Sequence, residues 1–139
     1  MRKIYGIGET VLDIIFKNDN PQAAKPGGSV LNSLVSMGRI GLPVSFISDY
    51  SSDDVGEIIE RFLKNNGVDT SSVHRFHKGN TSLALAFLDE NNDAHYTFYK
   101  NKPDERIDIK LPEIEKGDIV QYGSFYAIWT EIRRRFRNY

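Results

Sequence analysis

Apolar residues in this chain fall in short clusters, and their spacing changes along its length. "KIYGIG" and, after the Gly8-Glu9 break, "TVLDIIF" are rich in β-branched residues and too short for helices, so each predicts a strand. The polar stretch "KNDNPQAAKPGG" that follows predicts a loop. From Ser29 onward Val30, Leu31, Leu34 and Val35 recur at helical spacing, and the pattern stops near Gly38 or Gly41, which predicts a first helix. "PVSFIS" predicts a buried strand. "SSDDVGEIIERFLKNNG" predicts a second helix, with Val55, Ile58, Ile59, Phe62 and Leu63 on one face, Ser52 or Asp53 as its cap and Gly67 at its end. "TSLALAFLDENNDAHYTFYK" alternates on two arms around Asn91, Asn92 and Asp93 and predicts a β-hairpin. "GDIVQYGSF" predicts one more strand and "IWTEIRRRFRNY" a short basic helix. Strands alternating with helices imply one α/β domain with a mainly parallel sheet and an inserted antiparallel hairpin.

Composition narrows the classes of partner. The 139 residues are 40% hydrophobic, enough for a packed core. Eighteen basic and nineteen acidic residues nearly cancel, so the global charge gives no case for nucleic acid or an anionic membrane surface. The cluster Arg133, Arg134, Arg135 and Arg137 is expected to be a solvated helix face. Cysteine is absent, which excludes disulfides and thiolate chemistry and fits a reducing compartment; the cytoplasm is the expectation. No stretch approaches the roughly 18 uninterrupted apolar residues of a membrane helix, so no membrane partner is expected.

Three features carry candidate chemistry. "GIGETV" opens like a dinucleotide fingerprint, but Val11 takes the place of the third glycine and strand rather than helix follows, so that reading is rejected. "PGGSVLN" places two glycines directly before a helix. It is either a tight turn with Ser29 as the cap, or a place where a ligand approaches backbone N–H groups, with Asn32 in the first turn able to donate and accept. Asp13 interrupts an apolar strand and either faces solvent or accepts hydrogen bonds from a ligand. His74, His77 and His95 lack metal-ligand spacing and are expected at the surface or in turns.

Together these residues resemble the ribokinase-like (PfkB) carbohydrate kinases, the fructokinase branch most closely. "GIGETVLD" is similar to the family's first strand, and Asp13 falls on its sugar-binding aspartate. "PGGSVLNSLVSMGRIGLPVSFIS" is similar to the first family signature, with Gly27, Gly28 and Asn32 on the sugar-lining positions. "SSDDVGEIIERFLKNNGVDTSSV" resembles the G-x-D-x-x-G block, with Asp53 and Gly56 in place and Ser51 where glycine is usual. Tyr99 and Lys100 stand where related kinases carry a substrate-contacting Tyr-Arg.

The resemblance implies a Rossmann-type α/β three-layer sandwich with a small β lid. It implies ATP and Mg2+ as cofactors of the whole enzyme, a small sugar as substrate and a homodimer formed through the lid sheet. The implied reaction is attack of a sugar hydroxyl on the γ-phosphoryl of MgATP, with an aspartate as base. That aspartate closes a second, glycine-rich signature that has no counterpart in this sequence. The expectation is therefore that residues 1–139 form the N-terminal, sugar-binding part, with lid strands at about 11–17 and 82–100, no catalytic residue and no ATP-binding part. The substrate expected is a ketohexose or pentose. The alternative is a non-catalytic, truncated sugar-binding or oligomerising fragment.

Overall fold

The computed structural model describes residues 2–102, 111–128 and 133–134. In chain order the elements are β1 (Ile4–Ile7), β2 (Val11–Lys17), β3 (Asn20–Gly27), α1 (Ser29–Arg39), β4 (Val44–Ser51), α2 (Asp54–Asn65), β5 (Val68–Asp69), β6 (Val73–Phe76), β7 (Asn80–Leu88), β8 (Ala94–Asn101) and β9 (Ile119–Tyr122). A 3-10 turn follows at Phe125–Ile128.

These strands form two sheets. The first is parallel, in the order β5-β4-β1-β9, with β6 also paired to β4. One face of it is covered by α1 and α2: Val30, Leu31, Leu34, Val35, Ile59 and Leu63 pack with Val44, Phe46, Tyr50 and Val68. Tyr5, Ile7, Ile47 and Tyr126 form a smaller second cluster. Each fully buried Leu, Ile or Phe in such a layer contributes about 1.5–3 kcal/mol. The second sheet has the order β3-β2-β7-β8. β2 pairs β7 in parallel, while β3 and β8 run antiparallel to their neighbours at the two edges.

Both predicted helices form, and the hairpin of β7 and β8 turns where expected. There the Asp89 Oδ1 accepts from the backbone N–H groups of Asn91 and Asp93 at 2.8 and 2.9 Å. Several expectations are corrected. The predicted loop at 17–28 is largely β3. Asn18 and Asp19 take positive φ (50° and 61°) and close a hairpin back along β2, and Pro21 and Pro26 are tolerated because β3 is an edge strand. Ile58 is 39% exposed, because the buried stripe of α2 runs through Gly56, Ile59 and Leu63 and leaves Ile58 on its flank. Ser29 does not cap α1. It is the first helical residue, Gly28 occupies the cap position, and no side chain bonds to the helix start. β5 and β6 were not foreseen, since two and four residues within a polar stretch leave no period to detect. Of the predicted basic tail only Arg133 and Arg134 fall among the described residues, helical and exposed; the rest lies outside them.

The two sheets are joined where β7 begins. Asp53 caps α2 through Gly56 N–H (2.8 Å), and the same carboxylate accepts from Thr81 N–H (2.9 Å) and Thr81 Oγ1 (2.6 Å). Burial alone would raise the Asp53 carboxyl, but the hydrogen bonds from Thr81 and Gly56 outweigh it and hold the group below the usual aspartate range. This contribution to stability is present above about pH 4 and is lost as pH falls through the lowered folded-state value. Asp53→Ala is expected to cost about 2–3 kcal/mol, a cap plus a charged hydrogen bond. Urea denaturation checks this: the midpoint should fall with an unchanged slope, and the deficit should shrink on acidification.

Candidate functional site

The Gly-Gly turn, the strand aspartate and the end of the hairpin meet beside one cleft of about 430 Å³, lined by Glu9, Val11, Gly28, Phe98, Lys100 and Ser124. Its parts arrive from four chain segments. β2 leaves the first sheet just after Glu9, β3 returns into α1 through Gly27 and Gly28, β8 comes back through Phe98 and Lys100, and Ser124 follows β9. Thr10, itself buried, ties the first two segments together by donating from Oγ1 to the Gly27 carbonyl at 2.9 Å.

Asp13 is two residues along β2 from Val11. Burial pushes its carboxyl above the usual aspartate range, and no group among the described residues donates a hydrogen bond to it. It lies against Gly27 so closely that a Cβ on Gly27 would fall 2.0 Å from Asp13 Oδ2. Gly28 has φ 132°, open to glycine, and a Cβ there would meet the Glu9 carbonyl at 2.4 Å. Neither glycine can be exchanged without moving a neighbour.

The two helix starts differ. That of α2 is filled by Asp53, whereas α1 begins at Gly28 with neither a side-chain cap nor an acidic residue in its first turn. Its leading N–H groups are open to an acceptor. Asn32 sits one turn in, exposed; its backbone N–H bonds Gly28 O at 2.9 Å and its side chain has no partner among the described residues.

The register of the second sheet sorts the remaining candidates. Asp13 pairs with Ala84, which pairs with Phe98, so these three share a face, and Phe98 and Lys100 line the cleft. Leu12, Leu83 and Tyr99 share the opposite face. The structure therefore puts Asp13, Phe98 and Lys100 on one face and Tyr99 on the other, with Gly27 against Asp13 and Gly28 lining the same cleft as Lys100, while Asn32 lies outside the cleft lining. Sequence reasoning missed Phe98 and Glu9. The alternation of the hairpin places Phe98 with Lys100 rather than with Tyr99, and that was the signal for it. Glu9 gave no signal in its own segment.

Comparison with known proteins places the chain in a family. The chain belongs to the pfkB family of carbohydrate kinases, which it matches over residues 1–134. It is 27% identical over 144 residues to the probable fructokinase-3 of Arabidopsis thaliana, covering 94% of this chain and 41% of that protein. It is 37% identical over 94 residues to a 5-dehydro-2-deoxygluconokinase of Geobacillus kaustophilus, covering 67% of this chain and 26% of that one. The chain thus spans well under half the length of the curated relatives it matches. Crystal structures of fructokinase from Xylella fastidiosa, one of them with bound ATP, superpose with TM-scores of 0.63 and 0.62 at 25% identity, over 72% and 71% of this chain and 34% and 33% of theirs. The α/β fold is accordingly that of the ribokinase-like kinases.

The contact between Gly27 and Asp13 yields a test. Gly27→Ala should cost about 1–3 kcal/mol by overpacking against the carboxylate. Most of that cost should disappear in an Asp13→Ala background, as measured by a double-mutant cycle in urea.

Proposed function

We propose that the cleft beside Asp13 and the α1 start holds the sugar of a fructokinase-like carbohydrate kinase, and that the reaction served is ATP-dependent phosphorylation of a ketohexose or pentose. The observation that carries this reading is the pairing of complementary vacancies. Asp13 is a half-buried carboxylate with no donor among the described residues, and beyond the Gly27-Gly28 turn packed against it α1 presents N–H groups with no side-chain cap. A ligand with several hydroxyls supplies both, donating to Asp13 and accepting from the helix start, while Asn32 can do either. Phe98 adds an apolar wall. In this reading the second sheet is the lid, with Lys100 contacting the substrate and Tyr99 outside the pocket.

ATP and Mg2+ would be cofactors of the whole enzyme, but the residues in this cleft do not fit them. Its one lysine is bonded to Glu9, and among the described residues no three His, Asp or Glu side chains come together as a metal site. We therefore assign the sugar, and no phosphoryl-transfer step, to these residues. The chain by itself is then a sugar-binding unit without turnover. The exposed aromatics Phe87 and Tyr99, on the face of the second sheet away from Asp13, support pairing of the lid with a second copy. Among the described residues no helix is long and apolar enough to cross a membrane, which suits a cytoplasmic kinase.

Titration calorimetry of the chain with D-fructose tests the reading. Asp13→Ala should weaken binding about tenfold to a hundredfold, the value of hydrogen bonds to a charged acceptor. Because burial raises the Asp13 carboxyl, affinity should fall on acidification at a pH above the ordinary aspartate range, and Asp13→Asn should remove that dependence. Unchanged affinity in Asp13→Ala would refute the assignment.

A further inference from the structure

From the cleft wall inward four charged side chains alternate in sign, the outer two, Lys100 and Glu9, lining the cleft. Lys100 Nζ donates to Glu9 Oε1 at 2.8 Å. Lys102 Nζ lies 3.8 Å from the same Glu9 oxygen and reaches Asp49, 3.3 Å from Oδ1 and 3.1 Å from Oδ2. Burial grades along the series: the Lys100 side chain is 47% exposed, those of Glu9 and Lys102 are 18% and 13%, and that of Asp49 is 1%. Lys100 and Lys102 flank the end of β8, Glu9 lies between β1 and β2, and Asp49 is on β4, so the array crosses between the sheets.

The two ends behave differently. Asp49 is buried and needs its lysine, because an unpaired buried carboxylate is costly. Lys102 is thereby committed inward. Lys100 is half exposed and lines the cleft, and Glu9 is its one anionic partner among the described residues. The cation that a ligand meets is therefore already neutralised by a carboxylate on the same wall.

We propose that Glu9 sets the charge selectivity of the cleft, admitting neutral sugars and excluding sugars that carry a carboxylate. A hydroxyl can accept from another Lys100 N–H, or donate to Glu9, with the ion pair intact. A ligand carboxylate must take Lys100 from Glu9, and it sits beside a like charge while doing so. The proposal rests on the sugar-binding reading above and adds the residue that decides which sugars enter. Glu9 acts through Lys100, so the informative quantity is a ratio of affinities rather than an affinity.

The test compares D-fructose with the six-carbon keto acid 5-keto-D-gluconate by calorimetry at low ionic strength. Wild-type chain should prefer fructose. Glu9→Gln removes the neutralising charge and leaves Lys102 with Asp49, so the ratio should move at least tenfold toward the acid. That gain should disappear in Glu9→Gln/Lys100→Met and diminish with added salt. Lys100→Met alone, a change at a half-exposed edge-strand position, leaves the Glu9 charge less compensated and should widen the preference for fructose. A ratio that stays fixed in both single variants while fructose still binds overturns the proposal and leaves the sugar site standing. Failure of the wild-type chain to bind either sugar overturns the site reading and this proposal together.

Discussion

The Asp53 carboxylate is the joint on which the arrangement depends. One side chain closes the first turn of α2 and also receives the N–H and hydroxyl of Thr81 at the base of β7. Thr81 Oγ1 in turn accepts from Ser51 N–H at 3.1 Å, at the end of β4. A helix on the first sheet, a strand of that sheet and a strand of the second are thus tied through one polar cluster, in which Thr81 and Ser51 are buried and Asp53 partly so. Such clusters are costly to break because the remaining groups lose their partners together.

From that joint the geometry of the cleft follows. With β7 fixed at its base, β2 and β8 are positioned by pairing to it, and their registers put Asp13, Phe98 and Lys100 on one face. The other side of the cleft is set by the hand-over from β3 to α1. There Thr10 holds the Gly27 carbonyl, and the two glycines allow the backbone to pass close to Asp13 and to the Glu9 carbonyl. The same glycines that shape the turn leave the helix start uncapped. The turn forms without the serine cap that spacing left open, and the candidate site lies at the helix start it leaves uncovered.

Much of this was legible in the sequence, where a residue's role is expressed in local pattern. The apolar period marked α1, α2 and both arms of the hairpin, and the cap of α2 could be narrowed to Ser52 or Asp53 from their place before an apolar run, with Asp53 the one that caps. What escaped depends on edges and on registers. β3 carries two prolines and many polar residues, which signal a loop unless its position at a sheet edge is known. Tyr99 and Lys100 are adjacent in sequence, yet a strand sends adjacent side chains to opposite faces, so only the pairing of β2, β7 and β8 decides which one joins Asp13. Glu9 is one acid in a turn until Lys100, 91 residues later, is brought to 2.8 Å.

The central claim is that Asp13, the Gly27-Gly28 turn and the start of α1 together hold a sugar. The most direct test is an NMR titration of the 15N-labelled chain with D-fructose, followed through the backbone amides. The account predicts saturable shifts concentrated at Asp13, Gly27, Gly28 and the first turn of α1 through Asn32, with β5 and the end of α2 unmoved. Saturable shifts centred elsewhere, or none at millimolar sugar, would contradict it.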